Sequence, residues 1–117
     1  MSVERSTDAF DFDVLAMLRA LGNEHRLAIM GWLLDPRANF PPQRDGDLVE
    51  DGVCVGFITQ KTGLTQPTVT THMQTLAAAG LVTSKKIKNW VFYKPNRAAL
   101  DAALRTLAQT LGAVGDR

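Results

Sequence analysis

Side chains that could take part in binding chemistry are concentrated in the second half of this sequence. No acidic residue lies between Asp51 and Asp101, whereas six basic residues do. They are Lys61, Lys85, Lys86, Lys88, Lys94 and Arg97. Residues 65–74 (TQPTVTTHMQ) add many hydroxyl and amide groups. Because ammonium groups neutralise phosphates and neutral polar groups hydrogen-bond with base edges, this region predicts an anion-binding surface suited to nucleic acid.

The polar groups need a helix to present them, and the stretch from the Thr65 cap to about Ala79 fits one. Pro67 suits the first turn of a helix, and Gly80 ends it. At about 100° per residue, one face is apolar and the opposite face is polar and uncharged. The apolar face holds Val69, His72, Met73 and Leu76, and the polar face holds Pro67, Thr70, Thr71 and Gln74.

This arrangement predicts two kinds of contact with double-stranded DNA. Thr70, Thr71 and Gln74 would meet base edges in the major groove, since glutamine suits adenine and the threonine methyl suits thymine. Phosphates would be bound at the helix N-terminus, where free N–H groups and the helix dipole favour anions, and by nearby lysines. The candidate phosphate contacts are Thr65, Gln66 and Thr68 on this helix, Lys61 before it, and Lys85, Lys86, Lys88 and Asn89 after it.

The capping, glycine and turn residues in the rest of the chain predict a mainly α fold with a small β-hairpin (α+β). Helices are expected over Asp11–Leu21, over Glu24–Leu34 with Asn23 as its cap, over Phe57–Thr62 closed by Gly63, and after Asn96. Strands are expected over Val82–Ile87 and Trp90–Lys94, joined by a tight Lys88-Asn89 turn. A helix, a glycine turn, a second helix and a hairpin with a basic tip form the layout of a winged helix-turn-helix.

Residues 35–52 form a long acidic loop between these elements. Five acids against two arginines give it a net charge of −3. Loops of this length are usually functional or disordered. Residues 47–49 and 53–55 could also pair as a small hairpin around Asp51-Gly52.

Length and composition narrow the class of protein. With 117 residues, one domain over 1–117 is expected, with residues 1–10 as a flexible N-terminus. The longest apolar run, Leu27–Leu34, is too short to cross a membrane, and the N-terminus does not resemble a targeting signal. One cysteine allows no internal disulfide, which suits a cytoplasmic protein. The sequence has no catalytic motif and no phosphate loop, so we predict a protein that is not an enzyme and uses no cofactor.

The stretch VCVGFITQKTGLTQPTVTTHMQTLAAAGLVTSKKIKNWVFYKP resembles the ArsR/SmtB family of bacterial winged-helix repressors. LRALGNEHRLAIMGWLL extends the resemblance upstream. The resemblance implies a homodimer paired through its first and last helices, which binds an inverted-repeat operator and leaves DNA when an inducer binds. The predicted dimer contacts are Phe12, Leu15, Leu18, Leu100, Leu104, Leu107 and Leu111.

The sequence departs from that family at the positions where relatives bind a metal inducer. Some relatives bind metal through two cysteines of a CVC motif, but here the stretch is Val53-Cys54-Val55-Gly56. Others bind zinc between their last helices, where this chain offers only Asp101. One carboxylate per subunit cannot build a tetrahedral site, so no metal site is predicted and the effector stays unknown.

Several of the residues that could carry function could also have purely structural roles. His25 and His72 suit packed core histidines, and Trp90, Phe92 and Tyr93 suit a strand with one buried face. Cys54 could be a small core residue, a redox switch, or the site of a bond between two subunits.

The whole chain could instead be a protein-interaction module that binds no DNA and docks a partner through the acidic loop.

Overall fold

The computed structural model describes residues 14–112. Helix α1 occupies residues 14–21, so the predicted residues 11–13 of that helix, Phe12 among them, and the predicted flexible N-terminus lie outside the described part. The other elements are α2 (Glu24–Leu34), α3 (Pro36–Asn39), β1 (Val53–Cys54), α4 (Val55–Thr62), α5 (Gln66–Ala78), β2 (Val82–Ile87), β3 (Trp90–Pro95) and α6 (Arg97–Leu111). None of the helices within residues 14–112 has the length and apolar character needed to span a membrane.

Capping groups set the helix boundaries close to where the sequence predicts them. The Asn23 side chain accepts hydrogen bonds from two N–H groups at the start of α2, and Asn96 does the same for one at the start of α6. Gly63 closes α4 at φ 75°, in the left-handed region that favours glycine. Helix α4 begins two residues earlier than predicted, at Val55, directly after β1.

The sheet has three antiparallel strands in the order β1-β3-β2. Val53 and Cys54 pair with Tyr93 and Phe92, on the edge of the predicted hairpin. The predicted pairing of residues 47–49 with 53–55 is therefore wrong. Residues 48–51 form a turn instead, and the hydrogen-bonding groups of β1 are used by β3.

The acidic loop (residues 35–52) is folded against the rest of the domain. Phe40 and Leu48 are buried in the core. The backbone N–H of Cys54 donates to Gln43 Oε1 at 2.7 Å, and Gln43 Nε2 donates to the Gly52 carbonyl oxygen at 3.0 Å. These contacts fasten the loop to β1, because the oxygen and the nitrogen of the Gln43 side-chain amide are both hydrogen-bonded there.

Within the loop, two carboxylates hold a turn over residues 47–51. Asp47 Oδ2 accepts hydrogen bonds from the N–H groups of Val49 and Glu50, both at 2.9 Å. Asp51 Oδ2 accepts one from the N–H of Asp47 at 2.7 Å. The two backbone hydrogen bonds to Asp47 lower the pKa of its carboxyl group. The pKa of the Asp51 carboxyl group is lowered first by a hydrogen bond from the Lys85 side chain and then by the one from the Asp47 backbone.

The core lies between α2, α4, α5 and the sheet. Leu27 begins the longest apolar run of the sequence but is 57% exposed, whereas Ile29, Met30 and Leu33 of the same helix are buried. The expectation of one buried face on the last strand is wrong. In β3, Phe92 and Tyr93 are both buried although they point to opposite faces of the sheet. Tyr93 joins the core, and Phe92 lies under the acidic loop, where a Cβ on Gly46 would come within 3.1 Å of its ring.

We predict that Gly52→Ala destabilises the domain strongly. Gly52 has φ +102°, and a Cβ there would lie 2.4 Å from the Tyr93 carbonyl oxygen, at the point where the loop enters the sheet. We expect a loss of at least about 2 kcal/mol in the free energy of unfolding. Gly63→Ala is the matched control, because φ is also positive there but no described atom crowds the added Cβ. It should cost about 1 kcal/mol. Equal losses in urea unfolding would contradict the close contact.

Candidate nucleic-acid interface

Helix α5 places its polar residues outward as the sequence predicts. Val69, Met73 and Leu76 are buried without accessible surface. Because these residues fix the rotation of the helix, the opposite face is turned away from the core. On that face Pro67, Thr71 and Gln74 are exposed and Thr70 is half-buried. The exposed face carries no charged side chain.

Hydrogen bonds within α5 determine what its hydroxyl groups can offer a ligand. The Thr71 hydroxyl donates to the Pro67 carbonyl oxygen at 3.1 Å, so its oxygen is left as an acceptor. Thr65 Oγ1 donates to Thr68 Oγ1 at 2.9 Å, so the Thr68 proton is free to reach an outside acceptor. The first therefore suits an amino group on a base edge, and the second suits a phosphate oxygen.

Of the three hairpin lysines predicted to contact phosphates, two are paired with acids of the loop. Lys85 Nζ lies 2.5 Å from Asp51 Oδ1, and Lys88 Nζ lies 3.1 Å from Asp45 Oδ1. Lys86 forms no ion pair within residues 14–112. The span without acidic residues in the sequence therefore does not produce a surface without acidic groups, because two carboxylates of the loop lie against the hairpin.

The remaining predicted phosphate contacts have different surroundings. Gln66 is exposed at the first turn of α5, and Asn89 is exposed in the hairpin turn beside Lys88, whose φ is 56°. The Lys61 ammonium group lies 5.1 Å from the centre of the Trp32 ring and 5.8 Å from that of Phe40. Its charge is thus already engaged in cation–π contacts with one aromatic ring of α2 and one ring just after α3.

A cluster of nitrogen groups that the sequence does not predict connects α5 to the first two helices. Arg26 Nη1 donates to His72 Nδ1 at 3.0 Å, and Arg26 Nε donates to the Ala20 carbonyl oxygen at 2.6 Å. The His25 ring lies 5.8 Å from that of His72. His72 is thus a hydrogen-bonded packing residue, as expected, and Arg26 is its partner. Burial, aided by the charges of Arg26 and His25, lowers the pKa of His72.

Helices α1 and α6 both present exposed leucines. A groove is lined by Met17 of α1, by Ala99, Ala102 and Ala103 of α6, and by residues 79–81 after α5. Four of the predicted dimer residues are exposed, namely Leu15, Leu18, Leu104 and Leu111, and Leu100 and Leu107 are half-buried. The structure thus leaves these leucines accessible, and their role in a dimer stays a prediction.

Cys54 is half-buried at the N-cap of α4. Within residues 14–112, no group of three or more histidine, cysteine or acidic side chains is arranged to hold a metal ion.

Helix, glycine turn, exposed polar helix and basic hairpin together define a winged helix-turn-helix of the DNA-binding class. No protein-family model matches the chain. Among curated proteins, it is 36% identical over 86 residues to YbzH, an uncharacterized HTH-type transcriptional regulator of Bacillus subtilis strain 168, covering 74% of this chain and 86% of that one. It is 29% identical over 106 residues to ArsR2, a putative arsenical resistance operon repressor of Halobacterium salinarum, covering 91% and 76%.

A solved structure shows the same fold. The homodimeric winged helix-turn-helix DNA-binding domain of Mb0332 from Mycobacterium bovis aligns with a TM-score of 0.61 at 24% identity, covering 91% of this chain and 83% of that one. The chain belongs to the ArsR/SmtB family of winged helix-turn-helix transcriptional regulators. The resemblance identified in the sequence is thereby confirmed, and so is the predicted fold class.

We predict that the domain loses stability in weak acid because of His72. As the pH falls through about 6.5, the ordinary histidine pKa, the unfolded chain takes up a proton that folded His72 resists, so the free energy of unfolding decreases. His72→Gln keeps an acceptor for Arg26 but cannot titrate, so its stability should change less with pH. His25→Gln is the control and should retain most of the dependence. Identical pH profiles of denaturant unfolding for His72→Gln and wild type would contradict this assignment.

Proposed function

We propose that this protein is a dimeric repressor that binds an inverted-repeat operator in double-stranded DNA. The exposed, uncharged face of α5 carries the proposal, because its buried opposite face leaves Thr71 and Gln74 outward on a rigid helix. In this arrangement Thr70, Thr71 and Gln74 contact base edges, and Thr65, Gln66 and Thr68 contact phosphates near the start of the helix. Asn89 and the lysines of the β2–β3 hairpin, the wing, contact the flanking phosphates.

Dimerisation through α1 and α6 completes the proposed interface. One recognition helix meets only a few base pairs, whereas a two-fold dimer places two such helices about 34 Å apart on an inverted repeat. The exposed leucines of α1 and α6 support this pairing, and the related domain of Mb0332 is homodimeric. A regulator of this kind acts on DNA in the cytoplasm, carries out no catalysis and is released by a signal.

We infer unequal roles for the wing lysines. Lys86 is unpaired among residues 14–112 and can meet a phosphate at once. Lys85 and Lys88 must exchange Asp51 and Asp45 for phosphates when DNA arrives. Ion pairs at exposed positions contribute little stability, so this exchange reduces affinity without preventing binding.

The first test separates base contacts from phosphate contacts. Lys86→Ala should weaken binding to all sequences and lower the slope of log affinity against log salt by about 1.8, about 0.9 for each Lys86 of the dimer. Gln74→Ala should change which base is preferred within each half-site, with little change in the salt slope. Gel shifts at two salt concentrations and selection of bound duplexes measure the two effects. A chain that shifts no duplex at low salt would instead be the protein-interaction module.

The second test concerns the loop acids. Asp45→Asn and Asp51→Asn together should raise DNA affinity and steepen its salt dependence, since both wing lysines are freed for phosphates. Glu50→Gln is the matched control, because it removes a charge from the same loop while its carboxylate pairs with no side chain in the described part of the chain. The double variant removes two charges and the control removes one. A gain in log affinity for the double variant that is only about twice that of the control would show that only net charge matters and that the specific pairs do not.

A further inference from the structure

A cleft lies where the acidic loop, the start of α4 and the first half of β3 meet. Its volume is about 410 Å³, within the range of small-molecule sites. Trp90 and Phe92 of its lining belong to the wing, but none of the lining residues is a proposed DNA contact or a proposed dimer residue. The cleft is therefore open in the arrangement that we propose for the repressor.

Three of the nine residues that line the cleft are aromatic: Phe57 of α4 and Trp90 and Phe92 of β3. Trp90 and Phe92 share a face of the sheet, since they are two positions apart on one strand. Trp90 is 50% exposed although it is the largest side-chain type in proteins. Aromatic side chains left partly uncovered around a concave site favour a flat, apolar ligand group between them.

The lining of the cleft includes one positive charge that has no ion pair within the described residues. Arg44 and Asp45 both line it. Asp45 is paired with Lys88, whereas Arg44 has no ion pair or hydrogen bond within the described residues. The side chain of Gln43 is committed to Cys54 and Gly52, so it is not a free donor. An unpaired guanidinium group among aromatic lining residues suits a carboxylate, which it can bind through two parallel hydrogen bonds.

We propose that this cleft binds a small planar aromatic carboxylate, with the ring between Phe57 and Trp90 and the carboxylate on Arg44. We further propose that the bound anion weakens binding to DNA, a part that rests on the proposed function. Arg44 adjoins Asp45, which is 3.1 Å from the wing residue Lys88. Neutralising Arg44 removes a positive charge from the surface beside the wing, and phosphates are then attracted less strongly.

Binding is tested with naphthalene carboxylate as the probe and without DNA. The chain has two tryptophans, so Trp32→Phe leaves Trp90 as the only indole. The probe should shift the Trp90 indole N–H resonance in a saturable way. Naphthalene methanol, which lacks the charge, should bind at least about tenfold more weakly. The proposed site is wrong if no saturable shift occurs up to millimolar probe, or if the neutral alcohol binds equally well.

Two arginine variants in the Trp32→Phe background locate the charge. Arg44→Gln should weaken binding of naphthalene carboxylate at least about tenfold. Arg37→Gln should leave it unchanged, because Arg37 is an exposed arginine of the same loop that does not line the cleft. Equal affinities of the two variants would overturn the role of Arg44.

The regulatory part has its own readout. Saturating naphthalene carboxylate should weaken binding of the chain to its operator by about fivefold or more, the lower end of common coupling between two sites, and Arg44→Gln should abolish this effect. Unchanged DNA affinity with a probe that binds would overturn the regulatory part and leave the site standing. If the chain binds no duplex at all, the proposed function and the regulatory part both fail, while the probe titration still decides the site.

Discussion

The burial of one face of α5 is the constraint on which the rest of the structure depends. Val69, Met73 and Leu76 are fully removed from water, and burial of apolar area is the dominant favourable term in folding. Because a helix turns by a fixed angle per residue, this packing also fixes which side chains face outward. Strand β2 follows α5 after a short turn that ends at Leu81, itself buried, so the same core sets the position of the wing relative to the polar helix face.

The acidic loop changes the electrostatic character of that frame. Its carboxylates reach lysines 34 and 43 positions away in sequence, and they pair with two of the groups that we propose as phosphate contacts. A neutral recognition helix and a partly neutralised wing together give a surface whose attraction to DNA depends on how firmly the loop is held. The loop is held by buried Phe40 and Leu48, by the Gln43 side chain and by the close approach of Gly52 to β3.

The same loop also forms one wall of the aromatic cleft, so ion pairing and cleft geometry share residues. Asp45 lines the cleft and pairs with Lys88 at once. A ligand that binds Arg44 would therefore act on the wing through the neighbouring residue Asp45 and its ion pair with Lys88. This route requires no rearrangement of α5. A short chain of contacts of this kind is a physical basis for coupling between two sites.

The sequence by itself determined the helices outside residues 35–52, the wing and the outward face of α5, whereas the short helix α3 inside that loop was not predicted. These depend on caps, glycines and apolar periodicity, which act over a few residues: Asn23, Gly63 and Asn96 each stand where the structure uses them. The sequence could not determine what lies against the wing. The partners of Lys85 and Lys88, the burial of Phe92 and the contact between Arg26 and His72 join residues far apart in the chain. Only the folded core brings them together, because local spacing carries no information about which distant charge or ring will be near.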